Sequence, residues 1–344
     1  MTALLPGPSI DEMQERTEVS DMEQEEAKKE VIRTGKRLVQ TGLVARTWGN
    51  VSCRLSEDTF GITASGRDYM TLTPKEVVAV KIDDLTYEGT VRPSSELRIH
   101  REIYRLKPEA GAVIHTHQNW ASAVSAMGQK KADLGREYPG IGRYLQCAGY
   151  GLPGTEKLCR NTIEALKAAE GRALLLSSHG ALCYGADLEE AFQTALVLEE
   201  ACCRYLQDTD RELFSLKEGT DRQPDKGAIW DSSPILLRFA KEQKEMLPYL
   251  DDFAQMAGLQ IKVLPEDKNA ARQAAQRGET VLVKGAGAYC TAETGEDAKA
   301  LAMIIKKNAM AFFAAQKTGA GPIPKEECKK MRSMYLNSYS KLRD

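Results

Sequence analysis

The sequence predicts an α/β protein, and three observations predict it. Short apolar runs, such as 77–82, 112–114 and 172–177, read as strands, the last two buried. Longer stretches with a helical stripe or small-residue pattern, such as 21–40, 97–106 and 187–206, lie between them and read as helices. The stretch 174–191 has an echo at 281–298, offset by 107 residues, and each copy runs into a long apolar helix. A partial internal repeat follows from that.

Composition sets the class. The chain has 344 residues, enough for two domains or one large one, and 42% hydrophobic with 28% charged residues marks an ordinary soluble globular protein. A net charge of −2 argues against nucleic-acid binding through a basic surface. No apolar run approaches the ~18–20 residues that cross a membrane. The N-terminus turns acidic and polar, unlike a signal peptide. The eight cysteines form no Cys-x-x-Cys pair and fall within apolar segments, so reduced, buried thiols in a cytoplasmic protein are expected.

Taken in order, residues 1–20 carry two prolines and no clear period, and read as a flexible arm. A helix over 21–40 ends at Thr41-Gly42. Alternating Val51, Cys53 and Leu55 predict a strand, entered through a turn at Gly49-Asn50 where a backbone and an amide can approach a ligand. A second strand ends in a polar turn at Ser65-Gly66. Thr73 with Glu76 has the pattern of a capping box. The helix over 97–106 opens at Ser94-Ser95-Glu96, where either serine can cap it. Free N–H groups at such a helix start favour an anion such as phosphate. Thr155 starts another helix, and a long one begins near Asp187.

The chain has four histidines, at 100, 115, 117 and 179. His115 and His117 stand at the end of the strand begun by Ala112. Residues two apart in a strand share a face, so both imidazoles aim at one point, as two ligands of one metal ion would. His179 lies in a turn between two strand-like stretches. In the second copy its place is taken by Ala286, and no histidine follows residue 179. His100, four residues after Glu96 on the same helical face, reads as packed or hydrogen-bonded rather than as a ligand.

Together these pieces resemble the class II aldolase/adducin family. Gly49-Asn50-Val51-Ser52, the run from Thr63 through Ser65-Gly66 to Tyr69, Pro93-Ser94-Ser95-Glu96, His115-Thr116-His117 and Ser178-His179-Gly180 occur in the family's order. Glu96 precedes His115 by 19 residues, the separation typical of fuculose-phosphate-type aldolases. The resemblance implies a three-layer α/β/α domain around a central, mainly antiparallel sheet. It implies Zn2+, or another divalent ion such as Mn2+, Co2+ or Fe2+, on His115, His117 and His179, acting as a Lewis acid on a ketone oxygen and stabilising an enediolate. Glu96 would be the proton-transfer residue. Asn50, Ser65, Gly66, Ser94 and Ser95 match positions that hold a substrate phosphate.

The resemblance therefore implies a metal-dependent lyase that cleaves a phosphorylated ketose to dihydroxyacetone phosphate and an aldehyde. Its small-molecule partner is a sugar phosphate, with no nucleic acid or membrane partner. A homo-oligomer is expected, a tetramer by analogy. The competing readings keep the site for an epimerase, dehydratase or decarboxylase reaction, or retire it in an adducin-like scaffold. The organisation expected is an arm (1–20), a catalytic domain (21–207), a linker (208–232) and a degenerate partial repeat (233–344) with a structural or oligomer-forming role. Fuculose-type relatives bring a tyrosine from a neighbouring subunit, and Tyr138 or Tyr144 is the candidate here.

Overall fold

The computed structural model describes residues 10–44, 47–215, 221–222 and 227–337. The chain opens with α1 (Ile10–Gln40), so the first helix starts eleven residues before the expected Asp21 and takes in much of the segment read as an arm. Residues 1–9 lie outside the described ones. There follow β1 (Asn50–Arg54), β2 (Thr59–Thr63), β3 (Val77–Lys81), α2 (Leu97–Leu106), β4 (Ala112–Thr116) and α3 (Asn119–Ser125). Next come β5 (Lys131–Asp133), β6 (Tyr144–Ala148), α4 (Glu156–Ala168), β7 (Ala173–Leu176), β8 (Gly180–Gly185) and α5 (Leu188–Thr209). Thr155 and Asp187 cap α4 and α5 with their side chains, as their positions predict.

The first eight strands form one sheet in the order β3-β2-β1-β4-β8-β7-β6-β5, antiparallel except where β6 meets β7. β4 sits at its centre and is buried along its whole length. Its alternation sorts the two faces. Ala112 and Ile114 join a core that includes Val31 of α1 and Leu198 of α5. Val113 faces a second core built with Ile99 and Ile103 of α2 and Leu158 and Leu166 of α4. The result is the α/β/α sandwich with a mainly antiparallel sheet.

Beyond α5 lie α6 (Arg211–Phe214), β9 (Asp221–Arg222), β10 (Ala228–Asp231), α7 (Pro234–Glu242), β11 (Glu245–Met246) and α8 (Asp251–Met256). The chain closes with β12 (Ile261–Leu264), α9 (Lys268–Gln276), β13 (Val281–Val283), β14 (Gly287–Thr291), α10 (Gly295–Gln316) and α11 (Lys325–Asn337). The second sheet runs β11-β12-β13-β14-β10-β9. Its hairpin β13-β14 and the 22-residue α10 stand where β7-β8 and the 22-residue α5 stand in the first sheet. β12 is parallel to β13 as β6 is to β7, and β10 flanks β14 as β4 flanks β8. The shared order therefore starts earlier than the sequence echo, at β10. That strand falls inside the stretch read as a linker. Its four residues are too few to show an alternation that stands out from a polar surround.

The two sheets share a helical layer. α10 packs along α3, which α5 flanks as well, and one continuous apolar core runs from α1 to α10. Phe239, Phe312 and Phe313 meet edge to face within it. α11 docks on α8 and, together with Ile323 just before it, reaches the first sheet's loop at Tyr150 and Leu152 through Cys328 and Met331. All eight cysteines are unpaired, and all but Cys203 are buried. Among the described residues no helix is long and apolar enough to cross a membrane.

Candidate active site

The pleat of β4 decides where its histidines go. His115 is the fourth residue of the strand and His117 follows its end, so both project from the face that α2 covers. The β7–β8 turn brings in His179. Ser178 takes a left-handed backbone there (φ 57°). Gly180 lies so close to the end of β4 that a Cβ would stand 2.2 Å from the Thr116 carbonyl oxygen. Glycine at 180 thus lets the turn lie against the strand that carries the other two rings. The three ring centroids are 4.8, 4.8 and 4.9 Å apart. All three side chains are buried, and their ligating atoms fall within 4.8 Å of one another.

The Nε2 atoms converge. His115 Nε2 is 3.0 Å from His117 Nε2 and 3.1 Å from Glu96 Oε2, and His179 Nε2 is 3.4 Å from Glu96 Oε1. The Nδ1 atoms point outward, each toward an acceptor. His115 Nδ1–H donates to the Ala181 carbonyl at 2.8 Å, which leaves the lone pair on Nε2. His117 Nδ1 faces Asp252 Oδ2 and His179 Nδ1 faces Asp251 Oδ2, both at 3.6 Å. Burial above all pushes His179 down to about 3, with His117 and His115 adding to it against the pull of Glu96. Burial likewise lowers His117. Ring nitrogens aimed at one point fit a divalent ion, with a carboxylate beside it and a side open to the cleft.

Glu96 is the N-cap residue of α2, and its own N–H donates to Ser94 Oγ at 3.3 Å. The cap position thus falls on Glu96 itself, and Ser94 accepts from the N–H of that residue. Burial opposes the Glu96 charge, yet the rings of His115, His179 and His117 beside it hold the carboxyl well below its usual range. Behind it runs a buried polar chain. Asn50 Nδ2 donates to Glu96 Oε2 at 3.0 Å, so Asn50 Oδ1 must accept from His100 Nε2. His100 Nδ1 then accepts from the Ser52 hydroxyl (2.7 Å), which accepts from Tyr104 O–H (2.7 Å). Burial above all, with His115 close by, pushes His100 down to about 3, which keeps it neutral as this pattern requires.

The expected phosphate positions divide. Ser65, Gly66, Ser94, Ser95 and Asn50 all line one cleft with Glu96, His117 and His179. The Asn50 amide, however, is spent between His100 and Glu96. Its place opposite His115 in the β1–β4 register explains that reach. Tyr138 and Tyr144, the candidates for reaching a neighbouring subunit's site, do not line this chain's own cleft. Tyr138 packs against the main core, and Tyr144 takes Lys131 and Arg143 over its ring. Tyr335, Met331 and Met334 of α11 and Gln255 of α8 also line the cleft.

Asp251, Asp252 and Lys307 escaped the sequence reading. Asp252 ion-pairs with Lys307 Nζ, which also donates to the His117 carbonyl at 2.8 Å. Burial opposes the Asp252 charge, but Lys307 and His117 hold the carboxyl below its usual range. Burial, with Asp252 and Glu96 close by, pushes Asp251 well above it. The stretch from Pro248 to Gly258 resembles a later part of the family's domain, but an Asp-Asp pair at the start of a short helix carries no local sign of a distant histidine, so its role is not legible from sequence.

Comparison with known proteins places the catalytic half. The family model of the class II aldolase and adducin N-terminal domain matches residues 29–206. A 5-deoxy-D-ribulose 1-phosphate aldolase of Bacillus thuringiensis serovar kurstaki is 29% identical over 181 residues, 52% of this chain and 84% of the relative. An L-fuculose phosphate aldolase of Escherichia coli O6:H1 is 34% identical over 193 residues, 54% of this chain and 85% of the relative. A solved L-fuculose 1-phosphate aldolase structure covers 54% of this chain and 87% of its own length, with 28% identity and a TM-score of 0.51.

Proposed function

The chain belongs to the class II aldolase and adducin family, and from that premise we propose that it is a divalent-metal aldolase acting on a phosphorylated ketose. The products on this reading are dihydroxyacetone phosphate and an aldehyde. One observation carries it above the others: three histidine Nε2 atoms and the Glu96 carboxylate meet at one buried point that opens on a cleft. Both curated relatives described above are sugar-phosphate aldolases by name, which supports the reaction class.

His115, His117 and His179 would hold the ion, and Zn2+ suits three imidazoles with a position left open. When bound, the ion supplies Lewis-acid polarisation of the ketone oxygen. The residues do the rest. In the cleavage one proton moves from the substrate hydroxyl beside the breaking bond to the carbon that the aldehyde leaves. Glu96 is the carrier placed for it. Its Oε2 is fixed by Asn50, while Oε1 is buried with no hydrogen-bond partner and is the oxygen free to take the proton. Ser65, Gly66, Ser94 and Ser95 would hold the phosphate with hydroxyls and backbone N–H groups. Among the described residues lining the cleft there is no Lys or Arg.

The test is product analysis. Full-length protein loaded with Zn2+ and given a panel of phosphorylated ketoses should release dihydroxyacetone phosphate, read by a coupled reductase, and chelation should stop it. Substrate returned as an epimer, or dehydrated or decarboxylated without that release, would contradict the aldolase reading.

A further inference from the structure

We propose that the C-terminal half completes the histidine centre: Asp252 and Asp251 orient His117 and His179 for the ion and so set the affinity of the site. The proposal rests on the reading of the cluster as a metal centre. It concerns residues beyond 206, outside the part of the chain that matches the family.

A histidine that binds a metal through Nε2 needs its proton on Nδ1 and its ring held still, which an acceptor at Nδ1 provides. His115 finds that acceptor within its own sheet, in the Ala181 carbonyl. His117 and His179 do not: both Nδ1 atoms are buried and without a hydrogen-bond partner. The group facing each is a carboxylate oxygen of α8, Asp252 for His117 and Asp251 for His179, both at 3.6 Å. Two neighbouring acids aimed at two ligands from behind is more than the burial of one ion pair requires.

The C-terminal half is also fastened to the backbone that carries these ligands. Asp251 N–H donates to the Ser178 carbonyl at 2.9 Å, one residue before His179. Lys307 of α10 donates to the His117 carbonyl while pairing with Asp252. α8 is thus tied to both ligand-bearing turns, and the lysine fixes one acid's position. Asp251 has a further partner in Tyr150 O–H, at 3.4 Å, from the catalytic half. The acids are positioning residues: they act on the site through the imidazoles.

Cobalt titration of the full-length, metal-free protein tests this at fixed pH. Visible absorption reports ligand geometry, and competition with a chelator of known affinity gives the dissociation constant. Wild type should bind one Co2+. Asp251→Asn should weaken binding about 10–100-fold and shift the visible bands. Asp252→Asn alone strands the Lys307 charge, so the second variant is Asp252→Asn with Lys307→Met, with the same weakening expected. Thermal unfolding of each metal-free variant is read alongside and should stay cooperative. Unchanged affinity and bands in both variants, with wild type binding normally, overturn the proposal. So does an affinity loss that appears only where the metal-free fold is lost. A wild type that binds no cobalt overturns the metal reading itself, and this proposal with it.

Discussion

Glu96→Gln is expected to lower turnover by about 10²–10⁴-fold while one metal ion per chain remains bound. The substitution keeps the size of the side chain and the oxygen that Asn50 can meet. It removes the carboxylate that takes up and returns the proton. Glu96, His115 and His179 are all buried, which limits how readily water replaces the lost base. Steady-state kinetics on the substrate found by product analysis, with metal content measured on the same sample, checks this. Full activity in the variant would show that the proton travels by another route. His100→Leu should act in the same direction and more weakly, because it frees Asn50 rather than removing the base.

The second large effect concerns the whole C-terminal half. A chain ending at Asp210 is expected to lose cooperative unfolding and to aggregate. α3 explains why. Every residue from Ala121 to Ser125 is buried, with α5 on one side and α10 on the other. Trp120 rests against Phe214, and Met127 receives the Thr318 hydroxyl on its carbonyl. Each large apolar side chain returned to water costs roughly 1.5–3 kcal/mol. A few such losses consume a typical domain stability of about 5–15 kcal/mol. Circular dichroism melting and gel filtration read the outcome. A soluble, cooperatively folded chain with the metal affinity of the full protein would contradict the account of the second half.

What the sequence revealed, and what it hid, follows from range. His115 and His117 were legible because a strand's period of two is local and β4 obeys it. The helix starts at Thr155 and near Asp187 were legible for the same reason, as was the hairpin echo at Val281. Gly180 beside His179 was visible as a motif, but its reason is a 2.2 Å approach to Thr116, sixty-four residues away. Asn50 was assigned to phosphate, and the chain through His100 to Glu96 that claims its amide closes only when β1, α2 and β4 assemble. The same holds for Asp251, Asp252 and Tyr335. They reach the centre because α8 and α11 fold back over it, and no local pattern encodes that return. The start of the first helix was hidden because its stripe is weak: nearly half of its residues are charged, and among the described side chains its buried apolar ones are Val31, Ile32 and Leu38.

The measurement that bears most directly on the central claim is metal content. Wild type and His117→Ala, each purified without chelator, should be analysed by elemental spectrometry per mole of chain. The structure leads us to expect about one zinc, or another divalent transition metal, per wild-type chain and essentially none in the variant. Wild type without metal, even after reconstitution with Zn2+, Mn2+, Co2+ and Fe2+, would contradict the account and leave a catalytic fold kept as a scaffold.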